Sequence, residues 1–190
     1  VYDLFYTTQG IIGTPIGVCS TYIALFIIFG AFLEATGISN FFISCANSVA
    51  GWATGGPAKV AVISSALCGM VSGSSVGNTV TTGAVTIPMM KKTGYPPEFA
   101  GAVEAASSTG GQIMPPIMGA AAFLMAEMVG VPYSDIIKRA ILPAILYFTG
   151  IFLQVHLRAK RLDLKGIPRN ELPKFKELLP KFYLLIPLVV

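Results

Sequence analysis

Apolar residues along the chain run in long unbroken stretches, not in the strict alternation of half-buried strands, so the elements they predict are helices. Ile16 to Leu33 is one such stretch, and it stops at Glu34-Ala35-Thr36-Gly37, where the glycine serves as a helix C-terminal stop. A run of that length crosses a hydrocarbon core of roughly 30 Å. From Ile38 to Trp52 the pattern changes. Phe41, Phe42, Cys45, Val49 and Trp52 recur at helical spacing among Asn40, Ser44, Asn47 and Ser48, which predicts an amphipathic helix at the interface. Gly55-Gly56-Pro57 then breaks the chain, so residues 1–57 are read as a crossing helix followed by an interfacial one.

Residues 58–94 carry the most informative pattern. Lys59 to Lys92 is too long for one upright helix at 1.5 Å per residue. An apolar arm, Val60 to Val71, gives way to Ser72-Gly73-Ser74-Ser75-Val76-Gly77-Asn78-Thr79, and a second arm, Val80 to Met90, leads to Lys91-Lys92. Each arm is roughly 18 Å long as helix, too short to span. The pattern predicts a re-entrant helical hairpin whose polar tip lies at membrane depth, sheltered by protein or a water-filled cavity. Length and the Gly/Ser tip carry this prediction, because flanking charge barely separates a hairpin from a full crossing. Residues 95–130 form a broken transmembrane helix. It starts at Tyr95-Pro96-Pro97-Glu98, is interrupted from Ser107 to Pro116, and resumes from Ile117 to Val129, its second half opening at the proline pair. In 131–161 a further crossing helix runs from Ile136 to Leu157, with Pro143 as a candidate kink. Residues 162–190 read as a cytoplasmic connector and the truncated start of another transmembrane helix from Tyr183.

Composition agrees with this all-α, polytopic reading. Of 190 residues, 54% are hydrophobic and 12% charged, and the mean hydropathy is +0.71, well above that of a soluble domain with a polar shell. The formal net charge is +4, and eight of the 13 Lys and Arg residues follow Leu157. That placement reads as a cytoplasmic connector under the positive-inside rule, not as a nucleic-acid patch; no nucleic acid is expected as a partner. Cys19, Cys45 and Cys68 sit in apolar segments without CxxC or Cys/His pairing, and are read as small buried hydrophobes. Val1 opens the chain without a basic n-region, so no signal peptide is expected, and the abrupt ends suggest an internal fragment.

The chemistry concentrates at the two helix breaks. Where a helix is cut, one half exposes carbonyls that ligate a cation and the other exposes amides that attract an anion. Paired broken helices are the sequence pointer to a transporter binding site. Ser72, Ser74, Ser75, Asn78 and Thr79 offer neutral oxygens at the first cut, and Ser107, Ser108, Thr109 and Gln112 at the second, a donor set suited to Na+. Against this stands plain helix packing, since Gly69, Gly73 and Gly77 have small-xxx-small spacing. Gly73-Ser74-Ser75-Val76-Gly77 also matches the G-x-S-x-G of serine hydrolases. Such a serine needs a base, and His156, the single histidine, lies at the far, basic end of the last crossing helix. No phosphate-binding G-x-x-x-x-G-K-[ST] is present. Glu104 is an acid inside an apolar helix, either a carrier of protons or a cation, or a hydrogen-bonded structural residue. Glu34 and Glu127 lie near helix ends and carry less weight.

Three runs carry a family resemblance: Gly69-Met70-Val71-Ser72-Gly73-Ser74-Ser75-Val76-Gly77-Asn78-Thr79, Ile87-Pro88-Met89-Met90-Lys91-Lys92-Thr93-Gly94-Tyr95, and Glu104-Ala105-Ala106-Ser107-Ser108-Thr109-Gly110-Gly111-Gln112-Ile113-Met114-Pro115-Pro116. The chain resembles the large membrane subunit of tripartite ATP-independent periplasmic (TRAP) transporters, in wording closest to the fused 4TM/12TM permease type, over much of the first inverted repeat. The resemblance implies an elevator-type secondary transporter in the cell inner membrane, a permease and not an enzyme. It would be driven by Na+ and fed with organic-acid (carboxylate) substrate by a periplasmic substrate-binding protein. The small membrane subunit, or its fused equivalent, and the lipid bilayer are its other implied partners. It also implies sodium ligands at Ser72, Gly73, Ser75, Thr109 and Gly110, and substrate contacts at Ser74, Asn78, Thr79, Gln112 and Pro115. The competing reading of the same broken helices is an ion channel or pore.

Overall fold

The computed structural model describes residues 2–8, 10–168, 172–173 and 178–186. The expected connector cations Arg169, Lys174 and Lys176, and 187–190 of the expected last helix, lie outside the described residues. Every regular element among the described residues is helical: α1 (Tyr2–Tyr6), α2 (Thr14–Val18), α3 (Ala24–Ala35), α4 (Ile38–Ala50), α5 (Gly56–Ser72), α6 (Ser75–Lys92), α7 (Pro97–Gly110), α8 (Ala120–Val129) and α9 (Tyr133–Arg161). One π turn, Cys19–Ile23, joins α2 to α3, so 14–35 form one span. That span and α9 are long and apolar enough to cross a membrane. At the other end of the chain the described part of the expected last helix is a 3-10 turn, Leu179–Leu185.

The boundaries follow local chemistry, and some differ from expectation. Pro57 lies in the first turn of α5, which starts directly after Gly55, whose positive φ turns the chain; proline suits a first helical turn. Ser74 caps α6, its hydroxyl accepting the Gly77 N–H at 3.2 Å. Each hairpin arm is therefore longer than predicted: 17 and 18 residues, about 25 and 27 Å. Most of the predicted polar tip is not open loop. Ser75 to Thr79 already belong to α6, and only Gly73 and Ser74 make the turn. A second correction concerns the broken helix. Its second half starts at Ala120, not at the proline pair, because the chain runs irregularly from Met114 to Gly119 before the helix resumes. Third, α4 packs along α5 and turns Ile38, Phe41, Phe42 and Ala46 inward, while Val49 and Trp52, expected on its apolar face, are exposed. Cys19, expected to be buried, is exposed as well.

Helix α5 is the central post. Thirteen of its 17 residues are buried, and α4, α6, α7 and α9 all pack on it. One core cluster, with Ala58, Val62, Met90, Tyr95, Val103 and Val155 among its members, joins α5 to α6, α7 and α9. A second joins Leu33, Phe41, Phe42, Cys68 and Val71 across α3, α4 and α5. Both ends of the α5–α6 hairpin open at the basic end of α9: the Gly55 N–H donates to Leu164 O at 3.3 Å, and the Tyr95 hydroxyl to Gly55 O at 3.3 Å. At the opposite end the hairpin turns at Gly73. The α7 break lies against Tyr147, the middle residue of α9, whose hydroxyl donates to Ala106 O at 2.9 Å.

Candidate functional site

The two interruptions meet. At Gly73 the chain adopts a positive φ of 59°, and a Cβ there would lie 2.8 Å from Met118 O and 2.5 Å from Phe26 Cε1. A Cβ on Gly119 would stand 3.2 Å from Gly73 O. Gln112 bridges the pair, its Nε2 donating to Ser75 Oγ at 3.1 Å while its carbonyl accepts from Gly119 N at 2.7 Å. Behind them α5 crosses the end of α7 backbone to backbone, so that a Cβ on Gly69 would fall 2.5 Å from Gly111 Cα. The packing reading of the glycine spacing thus holds at Gly69, whereas Gly73 serves the turn and a Cβ on Gly77 would meet only Ser74 of its own cap. Four helix ends converge on this junction. The C-terminal ends of α5 and α7 bring carbonyls, and the N-terminal ends of α6 and α8 bring amides.

Among the residues expected to bind sodium, Ser72 and Ser75 are half-buried at the tip, beside Gly73. Ser72 Oγ reaches Ser74 O at 3.5 Å, and Ser75 Oγ receives Gln112. Thr109 is exposed and spends its proton on Ala105 O at 2.8 Å; the Cα face of Gly110 lies under Tyr147. Their carbonyls and the free lone pairs of the Ser72, Ser75 and Thr109 hydroxyls remain for a cation. Of the expected substrate contacts, Ser74 and Gln112 are exposed, Thr79 and Pro115 half-buried, and Asn78 buried. Thr79 Oγ1 donates to Ser75 O at 2.8 Å. Asn78 donates its Nδ2 to Ser65 O at 2.8 Å, which leaves its Oδ1 enclosed without a partner. Asn78 also lines, with Ser72, Thr81 and Glu34, a cavity the size of about one water molecule between α3, α4 and the hairpin.

What the sequence reading passed over is the polar layer beneath the tip. Glu104 on α7 is fully buried and faces hydroxyls from α5 and α6: Ser65 Oγ at 2.8 Å, Thr86 Oγ1 at 2.5 Å, and Thr82 Oγ1. Ser108 adds a fourth at 3.1 Å. Asn78, Thr82 and Thr86 stand four residues apart on α6, a polar stripe in an apolar arm that was visible in the sequence. Glu34, set aside as interfacial, accepts from Thr81 Oγ1 at 2.5 Å and ties α3 to α6. The hydrolase reading loses its base. Lys59, at the foot of α5, lies 5.4 Å from the Phe152 ring, one turn before His156, so His156 is an arm's length of about 25 Å from Ser75.

An interrupted helix and a helix hairpin that meet at polar ends are an arrangement found in membrane transport proteins. The family model for the tripartite ATP-independent periplasmic transporter, DctM component, matches residues 7–190, and the chain belongs to that family. It is 27% identical over 157 residues to the C4-dicarboxylate TRAP transporter large permease protein DctM of Vibrio cholerae, covering 83% of this chain and 34% of that protein. It is 26% identical over 160 residues to the 2,3-diketo-L-gulonate TRAP transporter large permease protein YiaN of Escherichia coli, covering 84% and 36%. With the isethionate TRAP transporter permease protein DctMQ of Oleidesulfovibrio alaskensis it shares 25% identity over 171 residues, covering 88% and 27%. The chain thus spans about a third of the length of these relatives. All three are named as transporter permeases, not as enzymes.

Proposed function

We propose that the full-length protein is a multi-pass inner-membrane permease that imports a small organic acid with Na+ as the coupling ion. A periplasmic binding protein delivers the solute, and a small membrane subunit, separate or fused, completes the complex. The observation that carries this reading is the junction of the hairpin tip with the α7–α8 break, where Gln112 bridges to Ser75. Carbonyl ends of α5 and α7 and the hydroxyls of Ser72 and Ser75 suit a hard monovalent cation. Amide ends of α6 and α8, with Ser74, Asn78, Thr79, Gln112 and Pro115 beside them, suit a carboxylate. The hairpin is read as re-entrant because both its ends open on the basic side and its tip meets the α7–α8 break instead of running on past it. C4-dicarboxylate, diketogulonate and isethionate, the solutes in the relatives' names, are all small organic anions.

The test is uptake of C4-dicarboxylates and related acids by the full-length protein in proteoliposomes, with its binding protein and with or without an inward Na+ gradient. Gradient-driven uptake that weakens in Ser75→Ala and in Gln112→Ala supports the reading. Transport of a solute that ignores both Na+ and these changes contradicts it, and flux without partner or coupling points to a pore instead.

A further inference from the structure

Glu104 is the most enclosed charged group of the described structure, with no exposure at all. Its carboxyl touches only hydroxyls. Oε1 faces Ser65 Oγ, Ser108 Oγ and Thr82 Oγ1, and Oε2 faces Thr86 Oγ1. The neighbours bring no positive charge. Helix α6 contributes threonines and Gly83, and α5 contributes Ser65 and, a turn away, Cys68. Glu34 on α3 is a second acid, held off by Thr81. Among the described residues the ion pair is Lys138 with Asp135, at the start of α9 and remote from this layer.

Hydroxyl protons are also in short supply. Thr82 and Thr86 have one each, and each lies within reach of the carbonyl four residues back, Asn78 O at 2.7 Å and Thr82 O at 3.0 Å. When those protons go to the carbonyls, the hydroxyl lone pairs face Glu104 at hydrogen-bond distance and need either a proton between or a cation coordinated beside them. Ser107 Oγ, one turn along α7, and Asn78 Oδ1, one turn before Thr82, are buried acceptors without a partner in the same layer. A buried carboxylate that shares these hydroxyls with backbone carbonyls and has no cation beside it is disfavoured.

We propose that Glu104 binds one small monovalent cation, a proton or an alkali ion, and that this bound charge ties α5 and α6 to α7. The site lies beneath the tip and break; it takes Ser108 and the neighbouring Asn78 and Ser107 from the wider set of neutral oxygens, but none of Ser72, Gly73, Ser75, Thr109 and Gly110, so it is tested apart from those five. Proton and alkali ion are two sources of one chemistry: a single positive charge accepted by a carboxylate, with Ser and Thr oxygens as co-ligands.

Infrared difference spectroscopy on the purified full-length protein, wild type against Glu104→Gln, in sodium, potassium and choline salts, tests this. A proton gives a protonated-carboxyl C=O band that shifts in D2O, persists in every salt and disappears in Glu104→Gln. An alkali ion gives instead a carboxylate stretch that shifts when choline is replaced by sodium or potassium. A Glu104 carboxylate band indifferent to all three salts overturns the proposal. Should Glu104→Gln fail to fold, Thr86→Val and Ser65→Ala serve in its place: each shifts the Glu104 band if the cage is as described, and an unmoved band in both overturns it.

Discussion

Replacing Gly69 by alanine tests the crossing that holds the two interruptions together. A Cβ at Gly69 lies 2.5 Å from Gly111 Cα and 2.9 Å from Asn78 Nδ2. Neither is a flexible chain end, since Gly111 is met at its backbone and the Asn78 amide is fixed to Ser65 O at 2.8 Å. Carbon atoms pack at about 3.5–4.0 Å, so α5 and α7 must part by about 1 Å. Overpacking of this kind costs about 1–3 kcal/mol, and the helix-propensity gain of Gly→Ala returns about 0.5–1 kcal/mol. The expected net loss is on the order of 1–2 kcal/mol. Gly101 provides the matched control, being within α7 with nothing inside 4 Å of an added Cβ; Gly101→Ala should be neutral or slightly stabilising. Thermal unfolding of the full-length protein in lipid nanodiscs reads the difference. Gly69→Ala should melt below wild type and Gly101→Ala at or above it. Equal melting of the two variants would refute the close crossing.

Three further outcomes follow from the same geometry. Gly73→Ala should cost more stability than Gly37→Ala: both positions have positive φ, but only Gly73 has Phe26 and Met118 against its missing Cβ. The left-handed backbone alone accounts for about 1–2 kcal/mol, so equal losses in thermal unfolding would deny the tip its packing. Thr86→Val, which keeps shape and removes the hydroxyl facing Glu104, should cost about 1–3 kcal/mol, with Thr86→Ser recovering most of it; a neutral Thr86→Val would contradict the cage. Gln112→Ala, at an exposed bridge, should change stability by no more than about 1 kcal/mol while lowering solute uptake, and uptake at the wild-type rate would count against the bridge.

The helical, membrane-spanning character was legible because it is written in run lengths, and Gly37 marks a helix end by the same rule in sequence and structure. Boundaries within polar segments were not. Ser72 to Thr79 looks like a loop by composition, yet one capping hydroxyl at Ser74 suffices to start α6 immediately. Periodicity tells which residues of α4 share a face, not which neighbour covers each: α5 covers Phe41, Phe42 and Ala46, while Val49 and Trp52 stay exposed. The meeting of Ser75 with Gln112 and of Ser65, Thr82 and Thr86 with Glu104 joins residues 18 to 39 positions apart, and only tertiary packing brings them together. Glu104 stood out as an acid in an apolar helix, but its hydroxyl partners were seen only after α6 had been folded back on α5.

Equilibrium binding of radioactive sodium to the purified full-length protein tests the central claim, that the tip and the break form a sodium site, most directly. Wild type should bind sodium saturably, and the Ser72→Ala/Ser75→Ala variant should bind fewer ions per protein, or bind one of them markedly more weakly. The same number of ions bound with the same affinity in both proteins would contradict the account.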